Sequence, residues 1–162
     1  MYHIGDKVMH KSTGACYVTD IVSMSADNSK LKRPYYKLEP IFDNRSTIYV
    51  LTDETKALRT RPVMSSAQLN EQMLSIHKSD GEWIDNQMER QKAALESIKS
   101  FDFLPKGKFL KMLIKRSTKK NLSVKDKEVL NNIKVSVYSE LAIIQNRSYE
   151  DVDLENPMLD CN

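Results

Sequence analysis

The chain is poor in the residues that catalysis, metal binding and secretion usually require. Four glycines are too few to build a loop that cradles phosphate. Its three histidines, His3, His10 and His77, stand apart. No serine or cysteine has a base and an orienting acid near it in sequence, which argues against nucleophilic catalysis. The two cysteines, Cys16 in a strand-like run and Cys161 beside the last residue, lack the number and spacing of a metal site or a disulfide framework. No uncharged stretch is long enough to cross a bilayer. The start, MYHIGDKV, has no apolar segment behind a basic one, so a cytoplasmic protein without membrane attachment is expected. The carboxylates of DNQMER and SYEDVDLE are explained by helix caps and surface charge. We expect no enzymatic activity, no metal and no cofactor.

What is present falls into two halves. With 162 residues, 40% of them hydrophobic, the chain can form two small domains, each with a modest core. Residues 1 to 64 carry period-two and β-branched signals broken by turn residues. IGDKVMH starts a first strand, and STG at 12 to 14 is a turn in which Gly14 can take a positive φ. ACYVTDIVSM makes a second strand, with Cys16, Val18 and Ile21 alternating with polar neighbours. After the loop SADNSKLKR comes PYYKLEPI, with Pro34 at its start. The turn DNRS at 43 to 46 leads into STIYVLT, which puts Ile48 and Val50 on one side. Four or five short strands with no room for crossover helices predict a small antiparallel barrel of the SH3 or Tudor type.

From Ser65 the period changes. Ser66 is a candidate N-cap for a helix to Ser79 with Leu69, Met73 and Ile76 on one stripe. A second helix is expected from about 82 to 100, with Trp83 in its first turn and Met88, Leu95 and Ile98 spaced unevenly. Pro105 suits the opening of a third helix that turns Phe109, Leu110, Leu113 and Ile114 inward. SVKD at 123 to 126 reads as a capping box for a fourth, carrying Val129, Leu130, Ile133, Val137 and Leu141. SYED at 148 to 151 caps a short fifth. Helices follow strands, so the fold class is β then α, with four to five helices. The boundary falls near 62 to 66, in RPVMSS. The expected parts are thus 1–64, 65–155 and a frayed tail at 156–162.

Formal net charge is only +3, but its distribution is uneven. Between Leu104 and Lys134 ten basic residues, Lys106, Lys108, Lys111, Lys115, Arg116, Lys119, Lys120, Lys125, Lys127 and Lys134, face two acidic ones, Asp126 and Glu128. A solvated helix face usually mixes signs at i,i+4 spacing. This one does so little, which favours a surface for a polyanion. A membrane is a polyanion too, and KFLKMLIKR has an interfacial look, yet its apolar positions serve better as bundle core.

The sole tryptophan, Trp83, is flanked by Asp80, Glu82 and Asp85, and both a packing anchor between helices or domains and an exposed contact residue fit it. The order of parts here is informative. IGDKVMHKSTGACYVTDI, RPYYKLEP, STIYVLTDE and LRTRPVMS, then EWIDNQMERQKAALESIKSFD and KKNLSVKDKEVLNNIKVSVYSELAI, together resemble the CarD/CdnL family of bacterial transcription regulators, over about residues 3 to 150. The resemblance implies an N-terminal Tudor-like domain that binds the RNA polymerase β subunit. It also implies a helical domain that meets promoter DNA at the upstream edge of the transcription bubble, with a tryptophan wedged into the minor groove. Carried over by position, it marks Trp83, Arg90 and Lys92, with Lys127 and its neighbour Lys125 after the LS turn, as DNA-binding. SFD at 100 to 102 stands where the family has SGD. Counted back from it, some members' tryptophan falls on Gln87, one helical turn beyond Trp83. On the polymerase side it marks Arg45, Thr47, Ile48, Tyr49 and Val50, with Tyr49 where members carry an arginine, and residues 46 to 51 as an edge strand that pairs with β. A monomer held near the nucleoid through polymerase is expected.

Two other classes fit the composition. One is an RNA- or ribosome-associated module whose Tyr35 and Tyr36 stack on bases. The other is an adaptor whose basic face meets an acidic protein.

Overall fold

A computed structural model describes residues 1–25, 31–43, 45–53 and 59–159. Residues 26 to 30 of the loop expected at 25 to 33, Asn44 of the DNRS turn, residues 54 to 58 and the tail end with Cys161 lie outside the described residues. The chain divides into two compact units, Met1–Val63 and Met64–Asn162.

In the first unit, alternating apolar residues give five strands: β1 Lys7–His10, β2 Gly14–Met24, β3 Arg33–Pro40, β4 Ile48–Leu51 and β5 Thr60–Pro62. All neighbours are antiparallel, in the order β4-β3-β2-β1-β5. Gly14 takes φ +87° where the first hairpin re-enters the sheet, a conformation costly for a residue with a Cβ. β2 is long because it pairs with β1 by its first half and with β3 along its length. The β2–β3 register shifts between Val18 and Asp20. Such a bulge bends a strand and raises its twist, as a small curled sheet requires. Cys16 and Val18 go to the core, whereas Ile21 beyond the bulge is 43% exposed.

The core of this unit is Val8, Cys16, Val18, Tyr36, Leu38 and Val50, with Tyr2 and Ile48 packed against it. Ile48 and Val50 share a side, as the alternation requires. Tyr36 meets Tyr2 edge-on, with ring centroids 5.4 Å apart, and its hydroxyl accepts the Tyr2 N–H at 3.0 Å. The idea of Tyr35 and Tyr36 as an open stacking platform fails here. They are only 8% and 1% exposed, and Tyr36 is part of the sheet core.

The second unit contains α1 Ser66–Lys78, α2 Gln87–Lys99, α3 Phe103–Ser117, α4 Val124–Gln145 and α5 Tyr149–Glu155. Side chains of Ser65, Asn86, Ser123 and Ser148 accept first-turn N–H groups and fix four of the starts. The cap of α1 is Ser65, one residue before the expected Ser66, because Gln68 completes a capping box with it. At α4 only half of the expected box forms. Ser123 Oγ accepts from Asp126 N, and the Asp126 carboxylate turns to other donors. α3 starts at Phe103, so Pro105 sits within the first turn, where its missing N–H has no helical partner to lose.

α3 packs against α1, α2 and α4. Its Phe109, Leu110, Leu113 and Ile114 are buried together with Leu69, Ile76, Ile133, Val137 and Leu141. Gly107 allows α1 its close approach: a Cβ there would fall 2.3 Å from Ile76 Cδ1.

Two expectations are corrected in this unit. Trp83 is not in a helix. Asn86 Oδ1 takes the Met88 and Glu89 N–H groups at 2.9 and 3.2 Å and Gly81 sits at φ +60°, so residues 79 to 86 form a connecting segment. Gln87 is therefore the first residue of α2. Met88 and Leu95 are 81% and 56% exposed, and α2 instead buries Ala94 and Ser97. The tail is not frayed from 156. Met158 is fully buried, the Tyr138 hydroxyl donates to Asn156 Oδ1 at 2.8 Å, and His77 Nε2 donates to the Pro157 carbonyl at 2.9 Å.

Candidate functional site

The segment that carries Trp83 has little regular structure of its own, and its carbonyls are satisfied by cations from elsewhere in the helical unit. Lys111 of α3 is buried. Its ammonium donates to the carbonyls of Ile76, His77 and Ser79 at 3.3, 2.8 and 2.9 Å. A cation at a helix C-terminus also meets the negative end of the helix dipole, here that of α1. One turn on, Lys115 Nζ donates to Asp80 O at 2.5 Å. At the far end of the segment, Arg90 of α2 donates to Ile84 O and Asp85 O at 2.8 and 3.3 Å. Trp83 is thus braced on both sides.

Arg90 is itself held. Its Nε and Nη2 reach Asp126 Oδ1 and Oδ2 at 3.1 and 3.4 Å, a two-point pairing that fixes a guanidinium in orientation as well as place. The two side chains are only 11% and 13% exposed. Ser123 Oγ donates to Asp126 Oδ2 at 2.7 Å, tying the pair to the start of α4. With these contacts made, the Arg90 guanidinium carbon lies 4.4 Å from the Trp83 ring centroid.

A second guanidinium, that of Arg116 at the end of α3, lies 4.8 Å from the same centroid. Its side chain has no hydrogen-bond or carboxylate partner among the described residues. The ring is half-buried. Beside it opens a cleft of about 420 Å³ lined by Trp83, Met112 and the cations Lys115, Arg116 and Lys119, and also by the carboxylates Glu82 and Asp85. An aromatic face next to loosely held cations is chemically suited to a base and its phosphates.

The residues marked from sequence separate into kinds. Lys92, Lys125 and Lys127 are exposed. Trp83 and Arg90 are brought into contact, with Arg90 committed to internal partners. Of the ten basic residues of the α3–α4 stretch, Lys106 and Lys111 are buried. Lys106 donates to Ser136 Oγ at 2.9 Å, and Lys134 pairs with Asp153. The exposed remainder is Lys108, Lys119, Lys120, Lys125 and Lys127. Sequence reasoning missed Arg116, which was indistinguishable from its basic neighbours, and missed Asp126 as anything beyond a cap.

In the sheet unit, β4 is a terminal strand, pairing with β3 through Lys37↔Tyr49 and Leu38↔Ile48. Its other edge faces no strand among the described residues. Arg45 and Thr47 are exposed, Ile48 is half-buried and Val50 is buried, while Tyr49 is 45% exposed. The outward Lys37–Glu39 pair, at 3.1 Å, lies on the neighbouring strand. Among the described residues no cluster of His, Cys, Asp or Glu could hold a metal ion, and no helix is long and apolar enough to cross a membrane.

A curled five-stranded Tudor-like sheet unit ahead of an all-helical one, which has no net formal charge but clusters its cations from α3 into the start of α4, defines a class: a two-module regulator that interacts with RNA polymerase. Residues 2–62 match the CarD-like/TRCF RID domain and residues 72–155 match the C-terminal domain of CarD. The chain belongs to the CarD family, a family of non-enzymatic transcription regulators. It matches no individual curated protein.

Proposed function

We propose that this chain stabilises the open promoter complex, with the sheet unit bound to the polymerase β subunit and the helical unit on DNA at the upstream edge of the bubble. The observation that carries the reading is the sole tryptophan, half-buried on a braced segment, with Arg116 and Lys119 beside it. The ring is already partly covered, so burying its remaining surface, about 80 Å², gives about 2 kcal/mol gross, and unstacking a base step costs a few kcal/mol. Insertion into closed duplex is therefore unfavourable. At a fork part of the unstacking is already done, so the ring prefers the melted state and shifts the equilibrium toward it. Arg116, Lys119, Lys92, Lys125 and Lys127 supply phosphate contacts without reading sequence.

The open edge of β4, with Thr47 to Val50 and the nearby Arg45, suits strand addition by a segment of β. Tyr49 makes that contact less ionic than an arginine would. Docking of one monomer to polymerase raises the local concentration of a weak DNA-binding unit at promoters, and so keeps the protein in the cytoplasm, on the nucleoid. The RNA-binding alternative has lost its stacking residues, because Tyr35 and Tyr36 are buried.

Replacing Trp83 by alanine is expected to leave polymerase binding intact and to shorten open-complex lifetime. An unchanged lifetime retires the wedge. Charge reversal at Lys92 with Lys127 is expected to weaken DNA binding and to flatten its salt dependence, by about 0.9 in the log–log slope for each phosphate that the variant no longer neutralises. Titrations at several salt concentrations check this.

A further inference from the structure

Asp126 stands between two exposed lysines, Lys125 and Lys127, on the surface assigned to DNA. An acidic residue in that setting is ordinarily a liability, since phosphate repels it. We propose instead that Asp126 is a positioning residue for Trp83, and that its carboxylate increases affinity for forked DNA. The inference rests on the reading of Trp83 as the DNA-contacting group.

The chain of contacts is short. Asp126 holds Arg90 at two points. Arg90 holds the Ile84 and Asp85 carbonyls and places its guanidinium carbon over the indole. Lys111 and Lys115 hold the other end of the segment from α3. Without Asp126, Arg90 keeps its charge but loses the partner that orients it, and the side of the segment nearest α2 loses its brace. An arginine released in that way is drawn to solvent or to phosphate. The ring then samples more orientations before binding, and ordering it on DNA costs correspondingly more.

Simple electrostatics and positioning predict opposite signs. Removing one negative charge from a DNA-facing surface strengthens binding if charge alone matters. Loss of a brace weakens it. Asp126→Asn is the informative substitution, because the amide keeps the side chain's size and the backbone N–H that Ser123 Oγ accepts.

Trp83 is the sole tryptophan, so its emission reports this segment in the free protein. In the full-length chain, Asp126→Asn is expected to shift Trp83 emission to the red and to raise its acrylamide quenching. Affinity for a forked duplex is expected to fall about fivefold. In a Trp83→Ala background the same substitution is expected to cause no loss. Arg90→Lys keeps charge but not the two-point geometry, and it should reproduce both effects. Emission and quenching unchanged in both variants, or tighter fork binding by Asp126→Asn, would overturn the proposal. Should Trp83→Ala alone leave fork affinity unaltered, the DNA role of the ring fails, and the emission measurements still decide whether Asp126 positions it.

Discussion

The two units treat polar groups in opposite ways. The sheet unit buries no charged side chain among the described residues, Thr60 being its one buried polar side chain, and leaves charge outside, as in the outward Lys37–Glu39 pair. The helical unit draws Lys106, Lys111 and Arg90 inward and uses them as struts. A buried cation is tolerable only when its donors are fully used, and the carbonyl-rich end of α1 and the irregular segment after it supply the acceptors. A basic run in a sequence is therefore not yet a basic surface. Part of this one is internal carpentry.

The largest contrast should appear in a labelling experiment. Cys16 is fully buried, and desolvation raises its thiol pKa from 9.0 to about 12. With Cys161 replaced by serine, modification of Cys16 at pH 8 is expected to run about a thousandfold slower than that of a free thiol, because it waits for the sheet to open. Rapid labelling would break the picture of a sealed apolar sheet. The same shift fixes a sign. The unfolded thiol ionises from about pH 9 while the folded one stays neutral to about 12, so its contribution to stability is complete below 9 and is lost as pH rises through that window. A Cys16→Ala variant should lack that slope in its denaturation curves.

A smaller effect tests the struts. Lys111→Met keeps the length of the side chain and abandons three carbonyls. It is expected to cost about 3 kcal/mol, measured as a drop in the denaturant midpoint followed by Trp83 emission, with Cys16 labelling unchanged. The smallest effect belongs to Lys120, which is exposed. Its alanine variant should change stability by less than about 0.5 kcal/mol, and as part of the exposed basic stretch beside Lys119 it should weaken DNA binding slightly. If Lys111 and Lys120 prove alike in both assays, the distinction between strut and surface collapses.

How far the sequence revealed all this differs between the units for the same reason. Alternation at Cys16 and Val18, and at Ile48 and Val50, is a local signal, and it located two strands and their inward face. The serines at 123 and 148 announced their helices equally well. The bulge at Thr19 and the end of the inward row at Val18 depend on pairing with β3, which no local pattern encodes. The helix expected from about 82 puts Trp83 in its first turn, yet Asn86 takes the cap and the helix starts at Gln87. The roles of Lys111, Arg90 and Asp126 were invisible, since each depends on partners more than 30 residues distant in sequence.

The plug formed by Met158, with its ties from Tyr138 and His77, has a practical consequence for anyone shortening this chain. The matched C-terminal domain stops at residue 155, but a fragment cut there would lose a side chain that fills the helical interior and the acceptor for a histidine on α1. Such a fragment would present a hole where the intact protein has a stopper, and a weak nucleic-acid complex measured with it would report that wound instead of the interface.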